Sequence, residues 1–228
     1  IKMKNILLIL SFIISTVAVA QKHNIVNASI ALRNANKANG DEVGVLLLEA
    51  KEYIDEAFST ESTANDPKMW NYRAPIYLQI ALKKPELDNL AILKATDAHI
   101  KCLQKGKKDK IIVKKWTSKE DVLAGLVQCG YKLFNLAIDH YNKGDYKTSL
   151  DFYDKIFEIV PFDDEDQLKR GNITKETILY NSFFSSNKLK DDTKSKELLQ
   201  NLIDINFNEP AIYIHMSEIF KREKNIEK

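Results

Sequence analysis

Glycine and proline are scarce, 7 and 5 in a chain of 228 residues. Short strands and frequent tight turns consume both residues, so their scarcity argues for long helices. It also leaves little material for a phosphate cradle, and no Walker loop, GxGxxG or GxSxG occurs. Cysteine is limited to Cys102 and Cys129, too few to frame a disulfide-rich miniature domain. Arginine is limited to Arg33, Arg73, Arg170 and Arg222, which leaves forked recognition of phosphate or carboxylate sparse. His23, His99, His140 and His215 lack any HExxH or CxxC spacing, so no metal, cofactor or catalytic residue is expected. Charge of one sign is also missing: the formal net charge is +2. There is no overall field to gather nucleic acid, which is not expected as a partner.

What remains is 44% hydrophobic and 29% charged, enough apolar material to exclude a disordered chain. Its first part reads as a targeting signal. Met3-Lys4-Asn5 precedes an apolar run, Ile6 to Ala20, that ends Ala18-Val19-Ala20. A basic start, an apolar middle and an A-x-A end make residues 3–20 a predicted signal peptide. The competing reading, an uncleaved anchor, needs about 20 residues to cross the hydrocarbon core, and the run is shorter. Gln21 follows the cut instead of cysteine, so no lipid anchor is expected there. Ile1 and Lys2 precede Met3 and are read as a gene-fragment or mis-assigned start. The expectation is export to the periplasm or envelope, extracellular release being the alternative, with no integral span after cleavage. Export permits a disulfide, but the two cysteines fall about 18 Å apart along helix axes, so buried free thiols are expected.

Residues 21–228 are predicted to be helical throughout. The most informative stretch is Leu133–Pro161, LFNLAIDHYNKGDYKTSLDFYDKIFEIVP, two amphipathic segments around an Asn-Lys-Gly-Asp turn. Small residues recur where two helices would cross closely, at Ala137 and Ser149. Large ones surround them, at Leu133, Leu136, Tyr146 and Tyr153. Gly144 supplies the turn and Pro161 the stop. This pattern resembles the tetratricopeptide repeat (TPR), a helix–turn–helix unit of about 34 residues. His140 departs from it where an aromatic is usual, and Ile156 where a small residue is usual.

Weaker units flank this one. Val26 to Phe58 reads as a first pair turning at Gly40-Asp41, with Ala50, Ile54 and Ala57 inward. Asp66-Pro67 opens a further helix containing Trp70, Ala74 and Tyr77, with Pro75 inside it and Ala95, His99 and Cys102 on its pair. A unit from Glu176 carries Leu179, Ser195, Leu199 and Leu202, with Phe183 too large for a close crossing. Pro210 opens a last helix on which Ile212, Met216 and Ile219 would be uncovered. The units are thus placed at 26–66, 67–105, 117–161, 166–207 and, partial, 210–228. Residues from Phe162 to Thr174 are an insert. Thr117-Ser118-Lys119-Glu120 reads as a capping box. The resemblance implies an all-α, right-handed TPR-like solenoid of antiparallel helix pairs.

The acidic run Asp163-Asp164-Glu165-Asp166 lacks the spacing and glycine of a calcium loop and reads as a helix start. Lysines 105, 107, 108, 110, 114 and 115 read as a solvated loop, anionic lipid or glycan being the sharper alternative. In TPR proteins the concave face of the first helices commonly lines the binding groove. That implies Tyr131, Phe134, Ile138, Tyr141 and Asn142, then Tyr180, Phe184, Asn187 and Lys188, as partner-binding residues. The resemblance implies a non-catalytic scaffold for a protein or peptide partner. A spacer, or the N-terminal repeats of a longer protein, is the alternative; a helical hydrolase has no motif behind it.

Overall fold

The computed structural model describes residues 23–226, with side chains to residue 224. The predicted signal peptide at 3–20 lies outside the described residues. The described chain is all-α, with no strand, and neighbouring helices pack in pairs, as in a helical repeat. None of its described helices is long and apolar enough to cross a membrane. Two compact units divide between Cys129 and Gly130.

The first unit begins with α1, residues 23–35, and α2, Glu42–Ser59. Gly40 takes a left-handed φ of 63° at the turn between them, a conformation that costs glycine nothing. Ile25, Ala28, Leu32 and Ala35 recur at helical spacing and are buried. So are Ala50, Ile54 and Ala57 on α2, as expected. Helix α3, Pro67–Lys83, starts where proline fits the first turn and Asp66 accepts a 2.8 Å bond from the Lys68 amide. It continues through Pro75 and packs on α2 and on α4, Ala91–Cys102.

A charge cluster joins these helices. The Asp55 carboxylate accepts from Arg73 at 2.7 Å, from Tyr77, and from Lys51 at 3.1 Å. Burial alone would raise this carboxyl, but the bonds from Tyr77, Arg73 and Lys51 hold it below the usual range. Burial and Asp55 together push the Tyr77 phenol upward. The Arg73 guanidinium lies 4.1 Å from the Phe58 ring centroid and 4.6 Å from that of Tyr77. Lys94 pairs with Asp88 at 2.7 Å.

The first unit closes on the start of α5, Lys119–Asn142, within which the division between units falls. Ser118, not Thr117, caps α5: its Oγ accepts from the Asp121 amide at 3.0 Å and donates to the Asp121 carboxylate at 2.7 Å. Both hydroxyl residues fit a capping box, and the helix starts one residue later than expected. His99 is buried with Nδ1 2.8 Å from the Ala95 carbonyl, and its ring occupies the space a Cβ on Gly125 would need. Cys102 and Cys129 are free and buried, with burial pushing both thiols up to about 12.

The second unit takes the rest of α5, then α6 (Tyr146–Phe157), a one-turn α7 (Gln167–Arg170), α8 (Lys175–Lys188), α9 (Asp192–Asp204) and α10 (Pro210–Ile226). The α5–α6 and α8–α9 turns follow one rule, a left-handed residue and then an aspartate cap. Gly144 has φ 80° and Asp145 accepts from Thr148; Lys190 has φ 59° and Asp191 accepts from Lys194. Helix α8 packs on both α6 and α9. Ser149 meets Ser185 at 3.0 Å and Ser186 meets Ser195 at 2.8 Å, all four buried. The close crossing therefore uses Ser186 rather than the position of Phe183, which is buried among other rings.

The face of α10 also differs from expectation. Ile212 and Ile219 are buried in a cluster with Leu198, Leu199 and Leu202, and Met216 packs against it. Tyr213, Ile214 and Phe220 are the exposed ones. The contact with α9 thus covers the face that the sequence reading leaves open, and the neighbouring residues Tyr213, Ile214 and Phe220 face outward instead.

Ser149→Lys is expected to destabilise the protein by more than about 2 kcal/mol, since a charge would enter a fully buried crossing. An unchanged urea midpoint would contradict that crossing. Burial lowers the His99 imidazole to about 4, from an ordinary value near 6.5. The unfolded chain then binds a proton that the folded chain refuses, so stability should fall as pH drops through that window, by on the order of 3 kcal/mol. His99→Leu should flatten this slope in denaturation measured between pH 4 and 6.5.

Candidate functional site

Helices α5 and α6 run antiparallel around the Gly144 turn and are clasped by rings. Phe134 meets Tyr153 edge-on at 5.9 Å, His140 meets Phe152 at 5.3 Å, and Tyr141 meets Tyr146 at 5.2 Å. The turn is locked further by His140 Nδ1, 2.8 Å from the Asp145 carboxylate. Hydrogen bonds from Thr148 and His140 hold that carboxyl below its usual range.

Between α5, α6 and α8 lies a cleft of about 310 Å³, lined by Ile138, Tyr141, Tyr153, Asn181 and Phe184. Its lining is mostly apolar, with one polar pair. Burial pushes the Tyr153 phenol up to about 12, and a side-chain hydrogen bond with Asn181 draws it back. The phenol therefore stays neutral at physiological pH and can present a donor. An apolar recess with one neutral polar pair suits an apolar side chain next to a hydrogen-bonding group.

Three residues expected to bind a partner, Ile138, Tyr141 and Phe184, come together in this cleft. Phe134 sits behind it on Tyr153. Tyr180 belongs to an adjacent ring cluster, 4.7 Å from Phe184, 5.7 Å from Phe207 and 6.4 Å from Phe183. His215 of α10 joins it, 5.0 Å from Phe183. Asn142 and Lys188 are exposed and line no part of the cleft. Asn187 accepts from Arg222, whose guanidinium is paired with Asp192, so it serves the contact with α10.

Tyr131 is used by the insert. Its hydroxyl donates to the Gln167 carbonyl at 2.7 Å, and its ring lies against Gly171. Leu168, buried, fills the space above Gly130. The insert is itself ordered by the acidic run: Asp163 accepts from the amides of Gln167 and Leu168, both at 2.8 Å, capping α7. No group of three or more His, Cys, Asp or Glu among the described residues is placed to hold a metal ion.

Of the residues expected to pack the repeat, Leu133, Ala137, Ser149 and Tyr153 are buried. Pro161 stands in a single 3-10 turn, Val160–Phe162, after α6. Asn181 was not among the expected site residues. Its only signal in the sequence is its place one helical turn before Phe184. No protein-family model, curated protein or solved structure matches the chain.

Tyr131→Phe is expected to lower stability by about 1 kcal/mol through the lost bond to the insert. Thermal denaturation checks this; an unchanged melting temperature would mean the insert is held without Tyr131.

Proposed function

We propose that this chain is a TPR-like, non-catalytic scaffold that binds a peptide or protein through the α5–α6–α8 cleft. The observation that carries the reading is the cleft itself. Ile138 and Tyr141 of α5 meet Phe184 of α8, more than 40 residues further along the chain, around an apolar recess with the Tyr153–Asn181 pair in its wall. Rigid aromatic side chains bury large areas at low entropic cost, which is why they anchor interfaces. The paired helices and the repeated turn-and-cap chemistry at Gly144-Asp145 and Lys190-Asp191 support a repeat architecture, read here as a right-handed solenoid. The apolar run before Gln21 supports a reading of the scaffold as exported, to the periplasm or envelope.

A partner would insert an apolar side chain between Tyr141 and Phe184 and bond to the amide or phenol of the polar pair. Tyr141→Ala and Phe184→Ala each remove a wall of the recess and should abolish partner capture from envelope extracts while leaving far-UV helicity intact. Capture that survives both substitutions contradicts the proposal.

A further inference from the structure

We propose that the connection between α4 and α5 docks the protein onto an anionic lipid surface. This site lies in the first unit and is independent of the cleft reading. Six lysines, 105, 107, 108, 110, 114 and 115, fall within eleven residues, and all six are exposed. Asp109 is the only acidic residue among them and pairs with Lys105 at 3.2 Å. In a chain whose formal net charge is +2, this concentrates positive charge on one segment.

The segment is a built shape. The Gly106 amide donates to the Lys110 carbonyl at 2.8 Å, and the Ile112 amide to that of Gln104 at 2.9 Å. Val113 is completely buried and anchors the segment to the first unit. At the tip, Lys108 and Asp109 both hold left-handed backbone, φ 60° and 62°. L-residues adopt that conformation at a cost that glycine avoids. The loop thus holds charged side chains at a tip where glycine would sit more easily.

Trp116, 36% exposed, stands at the end of the segment, with the Lys115 ammonium 5.7 Å from its ring centroid. Ile111 and Ile112 are half-buried beside it. Lysines with an interfacial tryptophan suit the boundary of a bilayer, where the ring settles at headgroup level and the ammonium groups meet lipid phosphate. Lysine is a point charge on a flexible stem, fitted to a diffuse array of phosphates more than to one bidentate ligand. A depression of about 680 Å³ opens between the loop and the start of α5, where Asp109, Glu120 and Asp121 stand against Lys110, Lys114 and Lys119. The three carboxylates offset the three lysines inside the depression, which leaves no net field for an enclosed anion, and the excess of positive charge belongs to the exposed lysines along the loop.

The test mixes the full chain with vesicles of phosphatidylglycerol and phosphatidylcholine in equal parts, and with vesicles of phosphatidylcholine alone. The neutral vesicles register whatever the apolar run at 6–20 contributes. The wild type should prefer the anionic vesicles and leave them as salt rises. Lys107→Glu/Lys108→Glu/Lys110→Glu should lower that partition about a hundredfold, while Lys143→Glu/Lys147→Glu/Lys221→Glu, equal in charge, should change it less than about threefold. In a Trp70→Phe background, Trp116 emission should shift to the blue with anionic vesicles only. Equal partition onto both vesicle types, or equal loss in the two triple variants, would overturn the proposal. So would retention on an anionic polysaccharide matrix without vesicle binding, which would reassign the loop to glycan.

Discussion

Two helices approach closely only where the side chains between them are small, and in the second unit serines meet that constraint. Ser185 faces Ser149 of α6, and Ser186 faces Ser195 of α9. A hydroxyl is small enough for the crossing, and pairing it with another hydroxyl avoids the cost of burying it alone. Helix α8 is thereby fixed on two sides. Asn181 lies one turn before Ser185 on the same stripe of α8, so the crossing with α6 brings it, with Phe184 beside it, into the cleft. The spacing of the recess is a consequence of the serine crossings, since any larger residue there would push α8 away from α6.

The first unit solves the same packing problem with charge and rings. Asp55 gathers Arg73, Tyr77 and Lys51, and Arg73 lies against Phe58 and Tyr77. A nearly buried guanidinium needs such partners, because an isolated one would be costly to desolvate. Removing Asp55 would leave that charge uncompensated, so α2 and α3 depend on it as α8 depends on its serines. His99 stacked over Gly125 is the corresponding close approach between α4 and α5.

Local chemistry made much of the helix layout legible in the sequence. Asp66-Pro67, Gly40-Asp41 and Gly144-Asp145 each obey a rule that acts within a few residues, and each stands where expected. The α8–α9 turn was harder to read because Lys190 takes the left-handed position that glycine fills elsewhere. Ser118 and Thr117 could each have capped α5, and only the backbone bond to Asp121 distinguishes them. The cleft was legible in part. Helical spacing grouped Ile138 with Tyr141, but Tyr153 and Asn181 enter through tertiary contact between helices. Tyr131 followed the same spacing and went to the insert, whose buried Leu168 and Ile173 show no periodicity that would announce a packed segment. The exposed face of α10 was misplaced for a related reason: Ile212, Tyr213 and Ile214 are consecutive apolar residues, and periodicity alone does not choose among them.

The central claim is that the α5–α6–α8 recess receives a partner's side chain. Nuclear magnetic resonance titration of the full chain with a peptide selected for binding to it tests this most directly. The account predicts that the Asn181 side-chain amide and the Tyr141 and Phe184 ring signals shift together and saturate with one dissociation constant. Saturating shifts centred on α9 and α10, with those three residues unmoved, would contradict it.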